Sequence, residues 1–185
     1  MHFSFQSILN RNLLAVSAFL AASALLSGCA TPTTSAGMTP TAIKTTTKHA
    51  KTVSVAVAGG QETDSMGKSQ VSNFTMAQAI TDAINASKTF SGVVQGKSGD
   101  YMLSVHIVNV DQPSFGASFT VKIEAGWTLQ RVDTGAIVWQ ESIKSEHTAT
   151  ISDAFVGTER LRLATEGAAR NNIAAGLEKI STLKL

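Results

Sequence analysis

The chain has 185 residues, a formal net charge of +2 and charged side chains at only 15% of positions, with a single cysteine. That balance is too small for nucleic-acid binding by bulk electrostatics, and one cysteine excludes an internal disulfide or a cysteine-based zinc site. Once the residues before Cys29 are set aside, enough chain remains to bury a core without metals or cross-links.

Residues 1–12 carry one positive side chain, Arg11, and Leu13 to Leu26 is an uncharged apolar run. As a helix this run spans about 21 Å, short of the roughly 30 Å hydrocarbon core of a bilayer. A charge, a short apolar run and then small residues are the layout of a secretory signal. The run ends in Leu26-Ser27-Gly28-Cys29. This resembles the lipobox of bacterial lipoproteins. The resemblance implies a signal over residues 1–28, cleavage before Cys29, and acylation of the Cys29 thiol and of the new amine, palmitate included. Two or more acyl chains anchor stably, since each buried methylene contributes about 0.8 kcal/mol. Ala30, rather than Asp, follows the cysteine. In Gram-negative lipoproteins that resembles the release signal to the outer membrane, with the domain facing the periplasm; the inner membrane and the cell surface stay open.

Residues 29–51 join the lipid site to the domain. They are rich in threonine, contain Pro32 and Pro40, and offer little to bury. The composition predicts a solvated linker with a root-mean-square span of roughly 25 Å, carrying Lys44, Lys48 and Lys51.

The domain is expected over residues 52–185. Thr52 to Ala58 is β-rich and stops at Gly59-Gly60. Met76, Ile80, Ala83 and Ile84 share one helical face, with Asn73 or Thr75 as cap and Gly92 as a stop. Tyr101, Leu103, Val105 and Ile107 alternate with a more polar set that includes His106. From Phe115 through Phe119 to Leu129 every odd position is apolar or small, which predicts a long strand with one buried face. Asp133-Thr134-Gly135 suits a hairpin loop with glycine in the left-handed conformation, placing Leu129 nearly opposite Trp139. Thr158 is expected to cap a last helix running to about Leu183, with Gly167 and Gly176 permitting close approach to a sheet. The order β-α-β-β-β-α predicts an α+β fold: an antiparallel sheet of about four strands packed on one face by two helices.

Asp133-Thr134-Gly135-Ala136-Ile137-Val138-Trp139, and the Ala164 to Ile173 run with its Gly167-Ala168-Ala169-Arg170 centre, are similar to segments of small envelope lipoproteins. Those include auxiliary lipoproteins of lipid-transport ABC systems, activators of cell-wall synthases and the amino-terminal domain of the Tol-system propeller protein. The likeness implies a binding or scaffold module with envelope protein partners and no catalysis.

The chemistry-bearing motifs point the same way. Gly60 to Ser69 has too many residues between its glycines for a phosphate loop, and Asp133-Thr134-Gly135 falls where a turn is needed rather than a protease aspartate. His49, His106 and His147 are isolated and read as surface or edge residues; no serine sits in a nucleophile elbow. No cofactor, metal or nucleic acid is expected. Trp127 and Trp139 read as core. Arg162, Glu166 and Arg170 fall on one helical line, either as a solvated face or as a partner-docking stripe. The expected function is a non-catalytic, membrane-anchored accessory module of a cell-envelope complex. A lipid- or glycan-binding module with an apolar groove between helices and sheet is the alternative, and a periplasmic hydrolase a distant one.

Overall fold

The computed structural model describes residues 30–65, 67–96 and 98–185; the signal expected over residues 1–28, with Leu26, Ser27 and Gly28, and Cys29 lie outside them. The elements are α1 (Ser35–Met38), β1 (His49–Ala58), α2 (Asn73–Ser87), β2 (Phe90–Val93), β3 (Tyr101–Asp111), β4 (Phe119–Arg131), β5 (Ile137–Ala149) and α3 (Gly157–Ser181). The strands form one sheet in the order β2-β1-β3-β4-β5. The α+β class and the helix-covered sheet match expectation.

Two details differ. The sheet has five strands, because β2 adds to the edge of β1, and β1 runs parallel to both β2 and β3. Only β3, β4 and β5 form the expected antiparallel meander. The parallel pairing follows from α2, which carries the chain back along the sheet before β2 begins. β2 then stops level with Val53 and β3 starts beside the same residue, so a short connection crosses β1 without a second helix.

Both long helices cover one face. α2 buries Met76, Ala79, Ile80, Ala83 and Ile84 against β1 and β2. It is capped by Ser72, whose hydroxyl accepts from the Thr75 amide, and it ends at Lys88 in the left-handed conformation (φ 57°). Asn73 is unavailable as the cap because its side chain accepts the Gly60 N–H at 2.8 Å. α3 packs on β4 and β5. It starts after Val156, with no side-chain cap, rather than after Thr158.

The core lies between helices and sheet. Tyr101, Leu103 and Val105 of β3 and Val121, Ala125, Trp127 and Leu129 of β4 are all buried, and the intervening positions face outward. The predicted alternation of β4 holds only from Phe119. Gly116 (φ +144°) turns the chain, and Phe115 stands out of the fold at 89% exposure. Leu129 does face Trp139 across the hairpin, and Gly135 is left-handed at φ +70°. His49 corrects its expectation as a surface residue: it is buried, tilted against Phe90, with Nε2 3.0 Å from the Ile180 carbonyl.

The threonine-rich stretch is the largest departure. It does not stand off as a solvated linker but lies along the domain. Met38 is fully buried, Thr33 is buried, and β1 already begins at His49. Isolated hydroxyls and amides make the attachment: Thr33 Oγ1 donates to the Gln70 carbonyl (2.7 Å), the Thr46 amide to Ser181 Oγ (3.1 Å) and the Thr47 amide to the Ser181 carbonyl (3.0 Å).

Candidate functional site

α3 carries Glu159, Arg162, Glu166 and Arg170 at three- and four-residue spacings, which places them on one face. Glu166 is buried there (1% exposed) and is the centre of the cluster. Its Oε1 accepts from Arg162 Nη1 at 2.7 Å, from the Thr34 amide at 2.8 Å and from Thr34 Oγ1 at 3.0 Å. Arg162 is shared with Glu159, whose Oε2 accepts from its Nε at 2.9 Å. Arg170 closes the far end, donating from Nε and Nη2 to the Gly37 carbonyl at 2.9 and 2.5 Å.

Thr34 and Gly37 thus seat α1 on this face. Thr34 also caps α1, its hydroxyl accepting from the Gly37 amide. A Cβ at Gly37 would lie 2.1 Å from Glu166 Oε2, so a side chain there would displace the carboxylate from its place in the cluster. The stripe that the sequence offers to a partner is therefore occupied by the chain's own residues 34–37. The face that the sequence leaves open, as a solvated face or as a partner dock, carries a clasp on residues 34–37.

The electrostatics fit that role. The hydrogen bond to Glu159 and the charge of Glu166 hold the Arg162 proton more firmly than usual. The Arg162 hydrogen bond in turn lowers the Glu159 carboxyl below its ordinary range. A carboxyl depressed by folding stabilises the fold above its unfolded pKa and loses that contribution as pH falls through the folded value, so the Glu159–Arg162 pair contributes less toward acid.

A second fixed junction was not visible in the sequence. Arg160, 6% exposed, donates from Nη1 to the carbonyls of Ala154 (2.8 Å) and Phe155 (3.2 Å) and from Nη2 to that of Gly116 (3.1 Å). Its guanidinium lies 4.9 Å from the centre of the Phe119 ring. One side chain so ties the β3–β4 connection to the β5–α3 connection. Charge-assisted bonds of this kind are each worth about 1.5–3 kcal/mol. Arg160→Met is expected to speed amide exchange at residues 112–118 and 150–156 by roughly tenfold or more while the β3–β4 ladder keeps its protection. Unchanged exchange in both connections would refute the junction.

The other candidates are structural. Asp133 sits in the exposed hairpin turn with its carboxylate 3.5 Å from Arg131 Nε. In the 60–69 loop, Ser69 Oγ donates to the Thr31 carbonyl (2.7 Å) and Lys68 Nζ to the Gln112 carbonyl (2.9 Å). His106 is exposed on the open sheet face, and the His147 ring lies under Gly167, where a Cβ would approach it to 2.1 Å. Trp127 is fully buried and Trp139 half-buried against the core. The space between helices and sheet is filled by Trp127, Leu129, Ile173 and Leu177. A groove of about 480 Å³ lies at the outer sheet, but Asp111, Lys122, Glu124, Lys144 and Glu146 line most of it. There Lys144 pairs with Glu124 at 3.5 Å and Ser142 donates to Glu124 at 2.8 Å, in a lining of mixed sign. Among the described residues no group of three or more His, Cys, Asp or Glu is placed to hold a metal, and no helix is long and apolar enough to cross a membrane.

No family model matches the sequence, and no curated protein matches it. The fold does have solved counterparts. A Xanthomonas campestris protein of family DUF330 superposes with a TM-score of 0.57 at 12% identity, over 82% of this chain and 91% of its own. A Caulobacter crescentus protein described as a putative lipoprotein superposes with a TM-score of 0.50 at 15% identity, over 70% of this chain and 88% of its own. At these identities the likeness defines a shared α+β fold.

Proposed function

We propose that this chain is a bacterial lipoprotein, acylated at Cys29, whose domain serves without catalysis as an accessory or docking module of a cell-envelope complex. The observation that carries the reading is the junction of motif and structure. Leu26-Ser27-Gly28-Cys29 is followed directly by a segment that the Glu166 and Arg170 clasp fixes to the globule. A buried ion cluster spent on holding the residues just after an acylation motif makes sense if that end bears load from a membrane. The fold shared with the Caulobacter protein supports the same class. The charged, open outer groove and the filled helix–sheet interface offer no apolar cavity, which favours a protein-docking role over capture of an apolar ligand. Ala30 in place of Asp favours the outer membrane, with the domain in the periplasm.

The test is metabolic labelling with a palmitate analogue in a Gram-negative host, followed by cross-linking and purification from membranes. Native protein is expected to carry label, to fractionate with the outer membrane and to bring down a defined envelope protein. Cys29→Ala should lose label, retain its leader and lose the partner. An unlabelled native product would overturn the anchor; a labelled product without a partner in any growth condition would overturn the docking role.

A further inference from the structure

β1 is parallel to β3, and β4 reverses between β3 and β5, so the carboxyl ends of β1, β3 and β5 lie at one end of the sheet. The connections 59–72, 112–118 and 150–156 gather there. The N-terminal segment enters at the same end. The Ala30 amide donates to the Ser65 carbonyl at 3.0 Å, and the Ser69 carbonyl accepts from Gln112 Nε2 at 2.6 Å. Cys29 precedes Ala30 in the chain, so acyl chains on its thiol would join the protein beside this rim.

The rim is also where the exposed aromatic residues sit. Of the described phenylalanines, Phe90 and Phe119 are buried, whereas Phe74, Phe115 and Phe155 are 77%, 89% and 87% exposed. Ile151 and Val156 stand beside them at 51% and 55%. Phe115 and Phe155 are not on loose tips, because Arg160 binds the carbonyls of Phe155 and Gly116 together. Apolar side chains held outward by a buried guanidinium are arranged to meet an apolar phase. The same connections carry Glu62, Asp64 and Asp153, all exposed. Lys68 is their one basic side chain and its ammonium is engaged by the Gln112 carbonyl, so acidic groups outnumber it and apolar insertion rather than attraction to anionic headgroups must suffice.

We propose that this rim rests on the bilayer that holds the Cys29 acyl chains, with Phe115, Phe155, Ile151 and Val156 seated at the boundary between headgroups and acyl chains. The inference rests on the lipoprotein reading and adds an orientation to it. The domain does not drift at the end of a linker. Its strands stand away from the membrane, and the Gly135 hairpin points outward about 40 Å above the surface, the length of β4.

The test uses the full-length acylated protein, in which the Cys29 thiol is blocked. Phe115→Cys, Phe155→Cys and, at the far end, Thr134→Cys are each labelled with bimane and reconstituted in phosphatidylethanolamine–phosphatidylcholine vesicles containing nitroxide lipids. All three positions are exposed, so folding is not at risk. Several-fold quenching at 115 and 155 with none at 134, unchanged by salt or by added phosphatidylglycerol, is the expected result. Acylated protein, verified by mass, with no quenching at 115 and 155 would overturn the orientation and leave the anchor standing. Blue-shifted probes that nitroxide does not quench would mean that protein covers the rim, which also overturns it. A mass without acyl groups would remove both readings.

Discussion

Glu166→Ala is expected to destabilise the domain by about 3 kcal/mol and to open residues 34–43 to proteolysis. Removing one partner of a buried ion pair costs roughly 3–5 kcal/mol, because the other charge and its neighbours are left unpaired. Here the low end applies, since Arg162 keeps Glu159 and retains 17% of its side-chain exposure. The Thr34 amide and hydroxyl lose their acceptor. The segment should peel as a loop rather than detach, because Thr33 still binds Gln70 and Thr46 and Thr47 still bind Ser181. Glu166→Gln keeps an acceptor for Thr34 but removes the charge opposite Arg162, so about 1–1.5 kcal/mol is expected. Urea midpoints at constant m, read beside limited proteolysis, check both. A Glu166→Ala midpoint within about 0.5 kcal/mol of the native one, with the segment still protected, would dismiss the clasp.

The clasp also shows where sequence reading stops. Helical spacing placed Arg162, Glu166 and Arg170 on one face, because that is local geometry. What covers the face is a non-local fact, supplied by Thr34 and Gly37 more than a hundred residues away. The covering segment reads as a linker because its composition is threonine and proline, yet composition does not register that single hydroxyls and amides hold it down. Met38 and Ile43 were the faint signals, two apolar side chains in an otherwise polar run. The hairpin was legible because Gly135, Leu129 and Trp139 are fixed by turn chemistry and parity. The direction of β1 was not, since period-two alternation is the same for parallel and antiparallel neighbours. β2 escaped for another reason: Phe90-Ser91-Gly92-Val93 is short and contains a glycine that weakens any strand pattern. Phe115 was misplaced because alternation continued past the strand into a loop, where parity no longer implies burial. Its exposure, not its pattern, is what the proposed membrane rim uses.

A double-mutant cycle at Trp127 and Gly176 should give the largest coupling in the core. Trp127 donates from Nε1 to Asn172 Oδ1 at 2.9 Å, and Asn172 Nδ2 donates onward to the Ile143 carbonyl at 2.9 Å, so β4, α3 and β5 meet at one buried hydrogen-bonded junction. The six-membered ring of Trp127 lies flat against Gly176, where a Cβ would come within 2.7 Å of Cη2, Cζ2 and Cζ3. Trp127→Phe removes the donor, orphans Asn172 Oδ1 and leaves a void, for about 2–4 kcal/mol in all. Gly176→Ala alone sets a helix-propensity gain of about 1 kcal/mol against an overpacking cost of about 1–3 kcal/mol, so it is neutral to destabilising. In the Trp127→Phe background the obstructing ring atoms are gone and only the propensity gain and partial void filling remain. Gly176→Ala should then stabilise, reversing its sign, with a coupling energy of about 1–3 kcal/mol. Additive effects, within about 0.5 kcal/mol, would mean that the ring and the helix backbone do not constrain each other and that Gly176 holds its place in α3 for some other reason.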